Sequence, residues 1–496
     1  MSIAEPEVLP YAFARRHGVV LLGGGATPSV GLREGTDPLV LIEVRRAMGR
    51  PLSVERLPTA AFDRRISEIY ADASLGVPAT GGLDFGEGLE GMLDELPTTA
   101  DLLDPQDDAP IIRLINGLIA EAVRRGASDI HIEPYEAALL VRLRVDGLLQ
   151  EVLSLPSRVA PMLVSRVKVM ARLDIAEKRV PQDGRISLTL AGRAFDVRVS
   201  TLPSRAGERV VMRILDKDQA GLRLEDLGMS PSVYAAFEAA LREPNGIILV
   251  TGPTGSGKTT SLYAGLGLLN DHRRNILTIE DPVEYAVHGV GQTQVNSKVG
   301  MTFAAGLRAI LRQDPDVVMV GEIRDAETAQ VAVQASLTGH LVLSTVHTND
   351  AAGAVTRLRD MGIEPFLLAS TLRLVVAQRL VRRLCPACRR PEPADAEAAR
   401  LLNVEPGREI FRPIGCPACS GAGYVGRIGI YEAIKIDDRM RRLIAESADE
   451  SELARIGAET AGDLGSAARA RVLDGSTTLE EAIRVTRQEA DGSGGV

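Results

Sequence analysis

The chain runs to 496 residues, room for about three or four domains with cores of their own; it is 45% hydrophobic, 25% charged and 3% aromatic, with no Trp. A formal net charge of −9 and the scarcity of base-stacking rings argue against a general nucleic-acid binder. No basic, apolar leader opens the chain and no apolar run reaches the ~18–20 residues that span a bilayer, so the expectation is a cytoplasmic protein that meets membranes through a partner.

Residues 1–75 read as a small α/β module. Pro10 to Leu22 passes from a helix-like piece into an apolar strand, and Leu39 to Met48 has the period of a second element. The pairs Arg15-Arg16 and Arg45-Arg46 suit either a solvated face or a partner-docking surface. From Ile66 to Ile112 there are eleven Asp or Glu and not one Lys or Arg. With its Gly and Pro content, the stretch 76–109 reads as an acidic flexible linker. Ile111 to Val123 is a strongly amphipathic helix. The segments 126–134, 139–145, 184–190 and 195–200 alternate polar with apolar residues, and 208–215 reads as a further strand. Residues 110–222 thus form an α+β domain whose sheet carries one polar, arginine-bearing face.

Residues 223–383 alternate strand and helix, as a parallel-sheet α/β domain does. The apolar run Ile247 to Val250 leads straight into Gly252-Pro253-Thr254-Gly255-Ser256-Gly257-Lys258-Thr259-Thr260, which contains G-x-x-x-x-G-K-[ST]. Gly252, Gly255 and Gly257 let successive backbone N–H groups face an anion, and the positive end of the following helix adds to that cradle. Lys258 then reaches the β- and γ-phosphates, and the Thr259 hydroxyl suits a Mg²⁺ that keeps most of its waters. Strand, loop and helix in register mark a nucleoside-triphosphate site.

Asn275 to Ile279 is a second core strand ending in Glu280-Asp-Pro-Val-Glu284. Phe303 to Arg312 is a helix. Val317 to Val320 is a buried strand with Glu322 just beyond it, and a fourth strand runs between His340 and His347. Ligand groups collect at the carboxyl ends of such strands, so Glu280, Glu322 and the two histidines are expected to converge on Lys258 and Thr259. Hydrolysis of a triphosphate needs an acid for the metal, a group that orients water, and positive charge at the transition state. Glu322 is assigned to Mg²⁺ and Glu280 to the water, with Glu284 as the alternate base. His340 and His347 are either satisfied core residues or γ-phosphate sensors. Arg308, Arg312 and Arg324 in this domain, and Arg198, Arg209 and Arg213 before it, can supply the positive charge.

All four cysteines lie in the segment 384–425, as Cys385-Pro-Ala-Cys388 and Cys416-Pro-Ala-Cys419. Each pair sets two thiolates on a tight turn, and the four can close a tetrahedral Zn²⁺ shell. Redox pairs or unligated thiols are the alternatives. With sulfur in every position the metal would be structural, and the 27 residues between the pairs should carry structure of their own. Residues 426–488 read as mostly helix and 489–496 as a disordered Gly/Ser tail.

Four segments now share one resemblance. Gly252 to Thr260, Thr278-Ile-Glu-Asp-Pro-Val-Glu-Tyr285, Gly321-Glu-Ile-Arg-Asp-Ala-Glu-Thr-Ala329 and Thr338 to Asp350 resemble the Walker A, Asp, Walker B and His boxes of the secretion and pilus ATPases. Ser128-Asp-Ile-His-Ile-Glu-Pro134 and Arg427-Ile-Gly-Ile-Tyr-Glu432 match as well, so the resemblance covers about residues 110–487. The tetracysteine segment is similar to that of assembly-type members, and Leu9-Pro-Tyr-Ala-Phe-Ala-Arg-Arg-His17 resembles the type II secretion ATPases, the general secretory pathway protein E family. Ser261 is a departure, since the family more often has a third Thr there.

The resemblance implies an α/β architecture with a RecA-like nucleotide domain, a PAS-like α+β domain before it and a zinc-binding insert. It implies a hexameric ATP hydrolase using ATP, Mg²⁺ and Zn²⁺, peripheral at the cytoplasmic face of the inner membrane, which powers pseudopilus assembly for protein export. The N-terminal module would dock on the cytoplasmic domain of the bitopic L protein, with an inner-membrane platform protein as a further partner and no nucleic acid. Arg198, Arg213, Arg308, Arg312 and Arg324 would surround the nucleotide at subunit interfaces. A pilus-assembly ATPase, a nucleic-acid translocase and a non-hydrolysing nucleotide-binding scaffold are the competing readings.

Overall fold

A computed structural model describes residues 9, 13–14, 17–23, 28–49, 51–58, 62, 108–190, 193–216 and 222–487. Nearly all of the acidic stretch 76–109, and the tail 489–496, lie outside the described residues. The chain divides into two compact units, Met1–Asp216 and Lys217–Val496.

The first unit holds two sheets. In the N-terminal module β1 (Val19–Gly23) pairs antiparallel with β2 (Ser29–Arg33), which pairs parallel with β3 (Ser53–Leu57); α1 (Val40–Met48) makes the crossover. Val19, Leu21, Val30 and Leu32 bury one face of this sheet with Val40 and Val44 of α1. The second sheet follows α2 (Asp108–Arg124), whose Ile111, Leu114, Ile115, Leu118 and Ile119 recur at helical spacing and are all buried.

That sheet contains β4 (Ala127–Pro134), β5 (Ala138–Val145), β6 (Leu148–Pro156), β7 (Gln182–Leu190), β8 (Arg193–Ser204) and β9 (Gly207–Asp216), with α3 (Ala160–Met170) between β6 and β7. Its strand order is β6-β5-β4-β9-β8-β7. Ile130, Ile132, Val141, Val197, Val199, Val210 and Met212 pack one face against α2 and α3. Asp129, His131 and Glu133 alternate onto the other face, as the sequence pattern anticipates. There Asp129 accepts from Arg213 at 2.9 Å, and Glu133 is held by Arg142 and Arg209. Burial would raise both carboxyls, but these guanidinium bonds outweigh it and both are held below the ordinary range. In the strand register Asp129 faces Arg213, Arg213 faces Arg198, and Arg198 faces Arg185, so the polar face is a cross-strand row of charge. The β5–β6 hairpin turns on Asp146-Gly147, both at positive φ, a turn signal in the sequence that marks the otherwise weakly patterned β6.

The second unit is built on a seven-stranded sheet. After α4 (Pro231–Leu241) come β10 (Gly246–Thr251), α5 (Lys258–Leu269), β11 (Ile276–Glu280), β12 (Gly291–Gln294), α6 (Phe303–Ile310), β13 (Val317–Val320), α7 (Ala326–Leu337) and β14 (Leu341–Val346). There follow α8 (Ala351–Asp360), α9 (Pro365–Thr371), β15 (Leu372–Leu384), β16 (Arg390–Pro393), α10 (Ala396–Leu402), β17 (Glu409–Arg412) and β18 (Tyr424–Lys435). Four helices close the chain: α11 (Asp438–Ala445), α12 (Glu450–Ala461), α13 (Leu464–Leu473) and α14 (Leu479–Arg487).

The order is β12-β11-β13-β14-β10-β15-β18, parallel throughout except for the β15–β18 pair. Every residue of β10, β13 and β14 is buried, which is why these strands read as largely apolar, broken only by Thr251, Ser344 and Thr345. Their side chains feed one core on each face. The segment after 426, expected as mostly helix, opens with β18, a 12-residue strand that closes the sheet antiparallel to the 13-residue β15. The loop between the cysteine pairs does carry structure, the β16–β17 ribbon and α10.

Glu432 on β18 is buried between two helix starts. Its Oε1 accepts from Ala351 N–H at 3.2 Å and its Oε2 from Leu464 N–H at 3.3 Å, the first residues of α8 and α13. Burial, reinforced by Asp350 and Asp463, outweighs those bonds and pushes its carboxyl up to about 7 from 4.5. The folded state therefore holds a proton that the unfolded chain has released between those values. Stability should fall as pH rises from about 5 to 7, by at most about 3 kcal/mol from this group. Thermal midpoints measured across that range should decline more steeply for the parent than for Glu432→Gln; equal slopes would refute the assignment.

Candidate active site and cysteine cluster

Because β10, β11, β13 and β14 are parallel, their carboxyl ends share one edge of the sheet, and the loops that carry Lys258, Glu284, Glu322 and His347 all leave from it. The phosphate loop follows β10. Gly252 and Gly257 sit at φ 140° and 87°, in the region open to glycine. A Cβ on Gly252 would lie 2.3 Å from the Gln378 carbonyl oxygen, so the loop's start has no room for any side chain. Gly257 then caps α5, whose first residue is Lys258. The Lys258 ammonium is buried and donates to the carbonyls of Gly252 and Pro253 at 2.8 and 3.0 Å. The Ser256 hydroxyl is buried in the loop with no hydrogen-bond partner, an orphan that a phosphate oxygen would satisfy. The loop fits a polyphosphate.

Burial pulls the Lys258 ammonium down to about 8, with Glu322 opposing the shift. Glu322, almost fully buried, is bonded to Arg324 and lies 3.3 Å from His347 Nε2. The His347 imidazole is held below its ordinary range, first by burial and then by Lys258. Glu322, Arg324, His347 and Lys258 therefore form one electrostatic cluster at the sheet's carboxyl edge. With the Thr259 hydroxyl on the first turn of α5, the Glu322 carboxylate supplies the oxygen donors that a hard divalent cation prefers.

His340 is not part of that cluster. It precedes the first residue of β14 whereas His347 follows the last, and six residues of parallel strand separate the two sheet edges. Its Nδ1 lies 2.9 Å from the Ala335 carbonyl and 3.1 Å from the Thr338 hydroxyl, at the end of α7. The expectation that both histidines converge on the loop is corrected for this one: strand direction sends it to the opposite edge.

Glu280 ends β11 and is 2% exposed. Tyr263 donates to its Oε2, while Thr278 and the Gln292 amide donate to its Oε1. Burial and Glu280 itself drive the Tyr263 phenol far above its ordinary range, so it stays a donor. Glu284, four residues on, is half-buried in the loop beyond the strand. Arg308 on α6 pairs with Glu327 at 2.7 Å, and Arg312 bonds the Arg308 carbonyl at 2.9 Å. Arg198 lies on β8, and Arg209 and Arg213 on β9, of the first unit. Of the partners of Glu280, Thr278 opens the Asp box, whereas Tyr263 on α5 and Gln292 on β12 belong to none of the boxes.

The four cysteines meet between the ends of β15 and β18. Their sulfurs lie within 4.8 Å of one another, with Cys385–Cys416, Cys388–Cys419 and Cys416–Cys419 at 3.9, 3.8 and 3.7 Å. Bonds of ~2.3 Å from a tetrahedral zinc require sulfur edges of ~3.8 Å, so the cluster fits that ion. Burial raises the Cys419 thiol, but the N–H groups of Cys416 and Gly423, each 3.1 Å from its sulfur, outweigh it and hold it at about 7. Cys388, raised by burial and its thiol neighbours, sits at about 11, so four thiolates together need a cation.

Loop, lysine, acid and histidine on a parallel sheet define a P-loop ATPase. Comparison with known proteins narrows the class. Residues 104–484 match the family model described as "Type II/IV secretion system protein", and residues 8–70 match the model of an N-terminal domain of "GSPII protein E". The chain is 54% identical over 489 residues to the type II secretion system protein E of Pseudomonas aeruginosa, covering 98% of this chain and 97% of that one. It is 51% identical over 487 residues to the type II secretion system ATPase E of Vibrio cholerae, covering 97% of each. The pilus retraction motor PilT, solved with bound ADP, aligns at TM-score 0.51 and 26% identity over 74% of this chain and 95% of that one. The Legionella pneumophila ATPase DotB shares the fold at TM-score 0.56 and 20% identity, over 79% and 98%. The chain belongs to the type II secretion system protein E family.

One consequence concerns Lys258. With burial holding its ammonium near 8, a phosphate beside it would restore the charged form, so ADP binding should take up protons above about pH 8 and few at pH 7. Calorimetry in buffers of different ionisation enthalpy should register that uptake at about pH 8.5 and far less at pH 7. Uptake that is equal at both pH values would contradict it.

Proposed function

We propose that this chain is a Mg²⁺-dependent ATPase that works as a homo-hexamer and powers pseudopilus assembly for export by the type II secretion system. The observation that carries the reading is the Lys258–Glu322–His347 cluster at the phosphate loop. Its relatives are named for type II secretion, and among the described residues no helix is long and apolar enough to cross a membrane. Docking on the cytoplasmic domain of the L protein through the module at 1–75, and contact with the inner-membrane platform protein, belong to the same proposal, which the match of residues 8–70 supports. So do a site at the cytoplasmic face of the inner membrane and the domain boundaries given above.

In this mechanism the backbone N–H groups of 252–257 and the start of α5 hold the phosphates, and Lys258 bridges the outer two. Thr259 and Glu322 would hold the cation, which when bound would neutralise phosphate charge. His347, neutral near pH 7, can donate Nε2–H to the terminal phosphate or accept from water. We assign the water-orienting role to Glu284 ahead of Glu280. Glu280 already accepts from Tyr263, Thr278 and Gln292 while buried, which leaves little of its carboxylate for a water. Positive charge from Arg198, Arg213, Arg308, Arg312 and Arg324, some of it contributed by neighbouring subunits, completes the proposal.

Lys258→Ala should abolish ATP turnover and secretion without unfolding the protein. Glu284→Gln should lower kcat by about 100-fold or more while ADP still binds, whereas Glu280→Gln should act mainly on stability. Parental turnover in Lys258→Ala would sink the ATPase reading. The reverse ranking of the two glutamates would return the water to Glu280.

The cysteine cluster is proposed to hold structural Zn²⁺. Purified protein should contain about one zinc per chain by elemental analysis. Cys416→Ser should lose the metal and several degrees of melting temperature, with the loss located at β16–β18 by hydrogen exchange. Metal-free protein of parental stability would dispose of the site.

A further inference from the structure

Ser261, the departure from the family's usual loop, has no part in the chemistry above, yet it is completely buried on α5. Its hydroxyl donates to Gln378 Oε1 at 2.7 Å. Gln378 lies on β15, 2% exposed, directly opposite Tyr431 of β18. Tyr431 in turn donates to the Leu227 carbonyl at 3.1 Å, so the group is anchored on its far side.

Gln378 meets the phosphate loop at both ends. Its carbonyl oxygen stands 2.3 Å from where a Gly252 Cβ would lie, and its amide Nε2 stands 2.8 Å from where a Gly257 Cβ would lie. We propose that Gln378 is the positioning residue of the phosphate loop. Through Ser261 it fixes the first turns of α5, and through its amide and backbone it fixes the glycines that start and end the loop. The N–H groups are then aimed before nucleotide arrives, which reduces the ordering cost of binding.

The residue type follows from the surroundings. A buried hydroxyl needs an acceptor, which a hydrocarbon side chain of equal length would not give. A glutamate would accept equally well but would set negative charge beside the helix start that must receive phosphate. Glutamine accepts from Ser261 while setting a neutral amide against Gly257.

The proposal rests on the ATP-binding reading of the loop, and the experiment separates the two. ADP affinity by calorimetry, ATP steady-state kinetics and melting midpoints would be measured on the full chain as parent, Gln378→Met, Ser261→Ala, the double variant, Gln378→Glu, Ser261→Thr and Lys258→Ala. Gln378→Met and Ser261→Ala should each weaken ADP binding and raise the KM for ATP about fivefold to tenfold, with kcat falling far less. The double variant should be no worse than the poorer single one, because both break the same bond. Gln378→Glu should bind ADP more weakly still, and Ser261→Thr should recover affinity lost in Ser261→Ala. Parental ADP affinity in Gln378→Met, a loss seen only in melting, or fully additive losses would each overturn the inference. Parental ADP affinity in Lys258→Ala would instead overturn the reading of the loop as a nucleotide site.

Discussion

The arrangement depends on one constraint, the insertion of β10 as a parallel strand between β14 and β15. Parallel neighbours put the phosphate loop, Glu322 and His347 on one edge, because each follows the carboxyl end of its strand. The same insertion presses the β15 backbone against Gly252 and the Gln378 side chain against Gly257. The loop's shape is thus imposed from outside it, by a strand more than a hundred residues later in the chain. Local glycine freedom permits the curl, and tertiary packing selects it.

Much of this is legible in the sequence because of burial. Strands covered on both faces are mostly apolar, so β10, β13 and the start of β14 announce themselves, and the residues just past these strands are the site. Short-range spacing likewise announces the cysteine quartet. His340 misleads for a geometric reason: a strand flanked by two histidines looks symmetric in sequence, but only one of its ends faces the loop. β15 and β18 are harder to read because arginines interrupt their apolar pattern, each with its own local solution. Arg382, for example, stacks 4.0 Å from the centre of the Tyr424 ring and bonds Glu481.

What no local pattern could reveal is pairing over distance. Ser261 meets Gln378 117 residues away, and Ala351 meets Glu432 81 residues away. Neither glutamine nor glutamate sits in a motif that names its partner. Both mark themselves as polar residues inside the buried stretches of their strands, 374–379 and 429–434. Two buried glutamates of this unit show how context decides charge. Glu481, bonded by Arg382 and Arg484, is held down to about 2 despite its burial, whereas Glu432, with backbone donors and two aspartates for company, is pushed up to about 7.

The loop after β14 ties these pieces together. His347 faces Glu322, and the next residue, Thr348, bonds the Thr251 hydroxyl at the end of β10, Oγ to Oγ at 2.7 Å and N–H to Oγ at 2.9 Å. Asn349 offers its carbonyl to Arg379 of β15 at 3.1 Å, and Asp350 caps α8 through Gly353 N–H at 2.7 Å. Ala351 then donates to Glu432, which also holds the start of α13. The four residues after His347 are each bonded to a different element, so the backbone that carries His347 is tied down. A change of charge at the phosphates that shifts the His347 backbone must either break one of these bonds or carry the ends of β10, β15 and β18 with it. Since packed, hydrogen-bonded contacts resist small continuous deformation, the second course loses fewer bonds. Of the helices after β18 it is α13 that this chain of bonds reaches, through Glu432, so a displacement of the loop's backbone is felt at Leu464 by way of Ala351 and β18.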